Sequence, residues 1–275
     1  MTILCRLLIL ALVSLGPQAQ KPADTEQIWK DFLTYFRTAT LEGNPVQAYM
    51  AELQKRGVSP EESRRQSATI MRLLGERTEG VALLYNRIYS KPFSGEPEMD
   101  GFLSAPSALL VEAAKGLKPG AALDAAMGQG RNSLYLAEAG WNVTGFDISE
   151  TGISLARANA EKKGLPINAV NASYDTFEFG TDKWDLIVMT YAWAPVSDQA
   201  FVGKIQASLR KGGKVVFEHF IRDADHPFPD LVRALDPGQL KTCFSGFQIE
   251  RYEEFDGIGE WGGPGSRLVR MIARK

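Results

Sequence analysis

The chain has 275 residues, of which 44% are hydrophobic and 23% charged, enough apolar residues for a full core and too many for a disordered chain. Its length fits one large domain, or one domain with an extension. The formal net charge of −2 gives no basic footprint, so we expect no nucleic-acid partner.

The first twenty residues, Met1–Gln20, resemble a secretory signal peptide. Arg6 precedes an apolar run, Leu7–Leu15, which is too short to span a bilayer and ends at a glycine–proline break. We therefore expect an exported protein, periplasmic or secreted, with no stable membrane insertion. In the alternative interpretation the segment is a frayed apolar helix or follows a wrongly chosen start codon, and the protein is cytoplasmic.

Cysteine and histidine are scarce in this chain. Cys5 lies in the signal-like segment, so a mature chain would keep only Cys243 and could form no intramolecular disulfide. Two histidines and one cysteine do not supply the spacing of a metal site, and we expect no metal.

A helical pattern extends from Thr25 to about Tyr89, with apolar residues at i, i+3, i+4 and i+7. Its helices have recognisable starts: Asn44 before Pro45, and a capping box at residues 59–62. The sequence therefore predicts a helical extension over residues 21–100, ending in a loop, Ser90–Asp100. Packing against the main domain or a second subunit is its plainest role.

The most informative stretch is 122–148, which reads ALDAAMGQGRNSLYLAEAGWNVTGFDI. An apolar strand ends in Asp124, a glycine turn follows, and an amphipathic helix begins at about Arg131. A second strand, Trp141–Phe146, ends in Asp147. The glycine turn lets a ligand approach the backbone, the helix start offers amide donors, and the second acid is placed to bind a nucleotide ribose.

The spacing separates two cofactor classes that use such a βαβ unit. A dinucleotide site favours a third glycine, where this chain has Ser133, and an acid about 20 residues further on. Here Asp147 follows Gly130 by 17 residues (147 − 130), and an extra acid, Asp124, precedes the turn. These departures disfavour a dinucleotide.

LDAAMGQG resembles the first motif of the class I S-adenosylmethionine-dependent methyltransferases, an apolar pair followed by D-x-G-x-G-x-G, with Ala126 in place of the first glycine. GRNSLYLAEAGWNVTGFDIS is similar to the tellurite- and thiopurine-type branch of small-molecule methyltransferases. The resemblance covers roughly residue 102 to the C-terminus. It implies S-adenosyl-L-methionine as the cofactor.

Strands and helices alternate through residues 101–275. Apolar strands are predicted at 166–172, 184–191 and 214–220, with a turn at 211–213 and a closing hairpin of 247–255 and 267–274. The alternation predicts a Rossmann-like, doubly wound α/β sheet, mostly parallel, with an antiparallel last strand. The resemblance implies the same fold.

The resemblance also assigns cofactor roles. Asp147 would take both ribose hydroxyls, although a surface acid capping the next helix is the plain alternative, and Asp124 would meet the ammonium directly or through water. Arg131 and Asn132 would bind the carboxylate of the cofactor or cap the helix that follows the glycine turn. Completing the set are Ala126, Gly128 and Gly130 in the loop, Ile148 on the adenine face, and Asn171 for the adenine amino group, with Asp175 as its alternative.

The methyl acceptor is expected to be a small molecule, such as a thiol, a metalloid oxyanion or a phenol. A soft nucleophile needs no general base, whereas a phenol or an amine does. Candidate groups follow the fourth and fifth strands; they are Tyr191, Trp193, Glu218, His219 and His226. Of these, His219 is the preferred base, with a purely structural histidine as its alternative.

By family analogy the extension also has a second candidate role, as a lid that shapes the acceptor pocket. Tyr85, Tyr89 and Phe93 are then candidates for the mouth of that pocket, and Trp261 for a residue closing over the acceptor. Two other functions stay open: an NAD(P)-dependent oxidoreductase, and a non-catalytic exported binding protein that keeps the fold. The oligomeric state is open as well.

Overall fold

The computed structural model describes residues 24–38, 45–90, 105–222, 234–259 and 266–275. Several predictions from the sequence fall outside these ranges: the signal-like segment Met1–Gln20, Phe93, His226 and Trp261. The chain divides into two compact units between Ile70 and Met71. The boundary predicted at residue 100 also lies outside the described residues and stays a prediction.

The first unit is helical over its described residues, 24–38 and 45–70. Helix α1 (Thr25–Thr38) and helix α2 (Pro45–Lys55) are followed by the first part of helix α3 (Pro60–Glu76). Its aromatic core includes Phe32, whose ring meets that of Tyr49 edge to face at 5.5 Å between centroids. One hydrogen bond of the predicted capping box is present where α3 begins: the backbone N of residue 62 donates to the Ser59 hydroxyl at 3.2 Å.

The second unit begins with the end of α3 and continues with α4 (Thr78–Ser90) and α5 (Ala108–Ala114). The strands and helices of its alternating part follow in order: β1 (Ala121–Ala125), α6 (Arg131–Glu138), β2 (Asn142–Asp147), α7 (Glu150–Lys163), β3 (Ile167–Asn171), β4 (Trp184–Thr190), α8 (Gln199–Ser208) and β5 (Leu209–Phe220). The unit closes with α9 (Gln239–Cys243), β6 (Gln248–Gly257) and β7 (Ser266–Arg274).

Seven strands form one sheet in the order β3-β2-β1-β4-β5-β7-β6. The first five strands pair in parallel, and β7 lies antiparallel between β5 and β6. From β1 the chain moves outward to β2 and β3, then returns to place β4 on the other side of β1. This reversal is the topological switch point, where open α/β sheets bind their ligands.

Strand β4 is buried on both faces of the sheet. Leu186 and Val188 pack into the cluster that holds α5, while Ile187 and Met189 pack into the cluster that holds α8 and α9. All four are fully buried. A central parallel strand that is buried on both faces requires a continuous apolar run, and this run is why β4 could be predicted from the sequence.

The fold prediction is confirmed: a mostly parallel Rossmann-like sheet with a terminal antiparallel pair, preceded by helices. The turn expected at residues 211–213 falls at an irregularity within β5, where the pairing with β4 passes from Leu209 to Lys214 and Gly212 has φ 80°. Within the described ranges, no helix combines the length and apolarity that crossing a membrane would need.

Candidate active site

A cavity of about 240 Å³ lies within the second unit, at the carboxyl ends of β1 to β4. Its walls come from the turns after these strands and from α3 and α4, so it occupies the switch point of the sheet. Within the described ranges, no group of three or more histidine, cysteine, aspartate or glutamate residues could hold a metal ion.

The loop after β1 turns by means of left-handed backbone. Ala126 has φ 58°, Gly128 φ 54° and Gly130 φ 89°. Ala126 and Gly128 line the cavity. At Gly128 a side chain would collide with the hydroxyl of Tyr89, which lies directly over the loop. Glycine at this position therefore permits a close approach, as the sequence predicted, and Tyr89 makes such an approach here.

Gly130 has a different role from the one predicted. It does not line the cavity; it is the N-cap of α6, and a Cβ there would lie 3.1 Å from the Cβ of Ala156 on α7. The left-handed φ and this close packing both favour glycine. The prediction that Gly130 borders the ligand is therefore not supported by this geometry.

Asp147 ends β2 in the cavity wall. Its Oδ2 accepts from the backbone N of Gly128 at 2.8 Å, and its Oδ1 accepts from the backbone N of Ser149 at 2.7 Å. Only 4% of the residue is exposed. Burial raises the pKa of Asp147 to about 6, although the backbone donors oppose the shift. Ile148, next in the chain, also lines the cavity, as predicted.

Asp124 lies deeper than predicted. It ends β1 but does not line the cavity, and its Oδ2 accepts from the hydroxyl of Ser133 at 2.7 Å. Burial raises its pKa to about 6, against the hydrogen bond from Ser133 and the charge of Arg131. A direct contact between Asp124 and a cofactor ammonium is therefore not supported; the carboxylate instead fixes the start of α6 beneath the loop.

Arg131 and Asn132 line the cavity but cap no helix with their side chains. Arg131 donates to the backbone oxygen of Ala105 at 2.8 Å. Asn132 accepts from the backbone N of Ser107 at 2.9 Å and donates to the hydroxyl of Thr190 at 2.9 Å. These bonds tie the start of α6 to the end of β4, so the two sides of the cavity share one polar network.

The adenine contact predicted for Asn171 stays a prediction that the geometry does not support. This residue does not line the cavity; its amide donates to the backbone oxygens of Asp147 and Ile148, at 2.9 and 3.1 Å, and so joins β3 to the end of β2. The stated alternative, Asp175, does line the cavity. Any acceptor for an adenine amino group at this end is therefore better sought at Asp175.

On the other side of the switch point, Tyr191 and Trp193 line the cavity with left-handed backbone, φ 54° and φ 47°. The Tyr191 hydroxyl donates to Glu218 Oε1 at 2.8 Å. His219, the preferred base, is buried on β5, does not line the cavity, and packs its ring against Tyr191 and Phe217. The geometry therefore supports a structural histidine, the alternative recognised from the sequence.

Part of the second unit is similar to a known protein family. Residues 122–213 match the model of the family described as "Methyltransferase domain". The second unit thus contains a segment that is similar to a methyltransferase domain, called the methyltransferase domain below. The resemblance noted in the sequence is confirmed, including its tellurite-type branch.

Two relatives are similar in sequence. A protein of Haemophilus influenzae (strain KW20 Rd), named "Probable S-adenosyl-L-methionine-dependent methyltransferase TehB", is 40% identical over 176 residues, 60% of this chain and 61% of the relative. A "Ubiquinone biosynthesis O-methyltransferase" of Methylobacterium sp. (strain 4-46) is 34% identical over 92 residues, 33% of this chain and 37% of the relative. The chain thus spans about three fifths of the length of the TehB relative.

The crystal structure of TehB from Haemophilus influenzae matches with a TM-score of 0.53 and 26% identity, covering 60% of this chain and 61% of that one. This match confirms the fold and leaves the activity of the whole chain to be proposed.

The methyltransferase domain also contains site residues that sequence reasoning missed. Tyr174, three residues beyond β3, lines the cavity and donates to the backbone oxygen of Ala192 at 2.8 Å. Burial raises its pKa well above the usual value, so the phenol stays neutral. A tyrosine just past a strand end was the available signal, although aromatic residues at such positions are usually packing residues.

Helix α4, which precedes the methyltransferase domain, forms one wall of the cavity. Tyr85 and Tyr89 line it, as proposed from the sequence. Asn86 was not singled out; its Oδ1 accepts from the Ser149 hydroxyl at 2.7 Å and from the backbone N of Thr151 at 3.1 Å. These bonds dock α4 on the start of α7, which holds Tyr89 over the loop. Burial raises the pKa of Tyr89 well above its usual value.

Proposed function

We propose that this chain transfers a methyl group from S-adenosyl-L-methionine to a small-molecule acceptor. The observation that carries the proposal is Asp147: a buried carboxylate at the end of β2, in the cavity wall, hydrogen-bonded to the backbone of the glycine loop. A carboxylate so placed can accept from both hydroxyls of a nucleoside ribose. The name of the TehB relative supports the same cofactor, and that of the second relative supports methyl transfer.

The residues present fit this cofactor. Gly128 has no side chain, which permits a close approach to the loop; in this structure the Tyr89 hydroxyl makes that approach, and any Cβ would collide with it. Arg131 contributes a guanidinium and Asp175 a carboxylate at separate parts of the wall. A ligand with a ribose, a carboxylate and an adenine amino group could therefore find a partner for each.

The cofactor would supply a sulfonium-bound methyl group, and the chain would align it with the acceptor. Tyr85, Tyr191 and Trp193 surround that side of the cavity with aromatic rings. Such walls exclude water and orient a nucleophile, which favours the loss of charge in methyl transfer. The phenols of Tyr89 and Tyr174 have raised pKa values and stay neutral near pH 7, so neither supplies a base.

The aromatic lining of the cavity and the charge of the chain support a small acceptor. The net charge of −2 does not favour a nucleic acid. Which of a thiol, a metalloid oxyanion or a phenol is accepted is a question for a panel of acceptors.

Calorimetric titration of the full chain with S-adenosylhomocysteine tests the cofactor. We expect micromolar binding, and a loss of about a hundredfold or more in Asp147→Ala, since two charge-assisted hydrogen bonds contribute roughly 1.5–3 kcal/mol each. Asp256→Asn, at an exposed position on β6, is the matched control and should bind normally. Stabilisation by NAD(P) without any by S-adenosylhomocysteine would contradict the proposal.

We also propose that the protein is exported, on the strength of the apolar segment Leu7–Leu15 and the break after it. Mass spectrometry of the N-terminus of the natural protein tests this directly. A chain beginning near Lys21 is the expected result; a chain that retains Met1 or Thr2 would contradict it.

A further inference from the structure

The turn after β4 adopts backbone that side-chain-bearing residues rarely take. Tyr191 and Trp193, two residues apart, both have positive φ, at 54° and 47°, and both line the cavity. A bulky residue in this region is strained and persists only where its surroundings over-determine it. The contacts that fix this turn therefore show which residues shape the acceptor side of the cavity.

Glu218 on β5 holds Tyr191 at two points. The backbone N of Tyr191 donates to the backbone oxygen of Glu218 at 2.7 Å, and the phenol donates to Glu218 Oε1 at 2.8 Å. Glu218 is only 3% exposed, and its Oε2 accepts from Arg270 Nε at 3.0 Å. An ion-paired, buried carboxylate is a fixed acceptor, so the ring of Tyr191 has little freedom.

The next two residues of the turn are held from other directions. The backbone oxygen of Ala192 accepts from the hydroxyl of Tyr174 at 2.8 Å. The ring of Trp193 meets the ring of Tyr85 edge to face, with centroids 5.6 Å apart. Tyr191 is thus held by β5, Ala192 by the segment after β3, and Trp193 by α4. Strained backbone persists where its surroundings hold it from several sides, as they do here.

We propose that Glu218 is a positioning residue for methyl transfer: it holds Tyr191 in the left-handed turn and thereby sets the aromatic wall against which the acceptor lies. Glu218 does not line the cavity, and its carboxylate is paired with Arg270, so it acts through Tyr191 rather than as a base. The catalytic consequence rests on the proposed function, whereas the structural consequence does not.

Three variants of the full chain test the inference. Tyr191→Phe removes only the phenol donor. Glu218→Gln removes the charge but keeps an oxygen that can accept from the phenol. Tyr252→Phe is the matched control, because it removes a hydrogen bond from Tyr252 to Glu254 at 2.5 Å on β6, outside the cavity wall.

Each variant is measured in three ways. Calorimetry gives the affinity for S-adenosylhomocysteine. The emission of Trp193 is isolated by subtracting the spectrum of the same variant carrying Trp193→Phe. Methyl transfer from S-adenosylmethionine to thiophenol, catechol and tellurite is followed as S-adenosylhomocysteine formed, and KM and kcat are reported separately.

Tyr191→Phe should shift the Trp193 emission to the red and reduce kcat/KM for the acceptor about tenfold, the effect of losing one interaction that orients the substrate. Its affinity for S-adenosylhomocysteine should stay within about twofold of the unsubstituted chain, because the cofactor wall is formed by other strand ends. Glu218→Gln should keep most of the Trp193 emission and of the turnover of the unsubstituted chain, because its amide oxygen still accepts from the phenol, and Tyr252→Phe should change neither.

An unshifted Trp193 emission in Tyr191→Phe would overturn the inference, and so would a parallel loss of S-adenosylhomocysteine affinity, which indicates general loss of structure. Failure of the proposed function has a different signature. If the unsubstituted chain binds no S-adenosylhomocysteine, the proposed function fails, while the emission comparison still decides whether Glu218 fixes the turn.

Discussion

Acidification from about pH 7 to about pH 5 should weaken the binding of S-adenosylhomocysteine about tenfold. The reason is Asp147, whose pKa is raised to about 6 by burial. Only the carboxylate can accept from both ribose hydroxyls while it also accepts from the backbone of Gly128 and Ser149. Protonation therefore competes directly with binding.

The magnitude follows from the titration of one group. With a pKa of about 6, roughly nine tenths of the Asp147 side chains are ionised at pH 7 and roughly one tenth at pH 5. If the ionised form alone binds, the apparent dissociation constant rises by about the ratio of these fractions, equivalent to about 1.4 kcal/mol. The window lies below the titration of a free α-amino group, so the ligand itself changes little.

Calorimetric titrations across this range measure the effect, with Asp147→Asn as the key comparison. The amide cannot change its charge, so its weaker binding should be nearly independent of pH. Asp124, whose pKa is also raised to about 6, can contribute through its charge, and Asp124→Asn isolates that share. A tenfold pH effect that survives in Asp147→Asn would refute the reasoning.

Three further predictions concern stability and packing. Without ligand, acidification from about pH 7 to about pH 5 should raise the free energy of unfolding by about 1 kcal/mol for each of Asp124 and Asp147. A carboxyl pKa that is raised in the folded state favours folding below about pH 6, and this gain is lost as the pH rises. Urea unfolding of the unsubstituted chain and of the two asparagine variants measures the effect. Ala126→Gly should raise the free energy of unfolding by up to about 1 kcal/mol, since a left-handed alanine costs about 1–2 kcal/mol and the backbone entropy of glycine offsets part of the gain. Ala139→Gly, at a position with φ −80°, is the control and should lower the free energy of unfolding. Gly128→Ala should lower S-adenosylhomocysteine affinity by forcing Tyr89 aside, and Tyr89→Phe in the same chain should recover part of the loss; no recovery would contradict the collision.

The parts of the site that the sequence predicted are local. The loop and Asp147 lie within one βαβ unit, where strand ends and glycine turns follow from composition and spacing. The register of β1 against β2, Asp124 beside Gly145, then brings Asp147 next to the loop without further information. This is why the fold and the main acid of the candidate site could be predicted from about 27 residues of pattern.

The parts that were missed or misplaced depend on contacts between distant segments. Asn86 reaches Ser149 across 63 positions in the chain, and Tyr191 reaches Glu218 across 27. Asn171 was assigned by its place after β3, but its side chain turns back to the end of β2. A linear pattern gives the strand on which a residue lies, whereas the direction of its side chain depends on neighbours that the pattern does not identify.

Strained backbone occurs at two positions of the site, one predictable from the local sequence and one that depends on a distant contact. Ala126 after β1 and Tyr191 after β4 have nearly equal backbone angles, φ 58° and φ 54°, at the two strands that flank the switch point. The motif marks the first position, because glycine is expected there and alanine is a small departure. No local pattern predicts left-handed backbone at Tyr191, since tyrosine rarely adopts it. The conformation of Tyr191 is explained by the buried carboxylate of Glu218, which accepts from the phenol and is itself ion-paired with Arg270. Strain at Ala126 should therefore be removable by glycine with little functional cost, whereas strain at Tyr191 is part of the wall it forms.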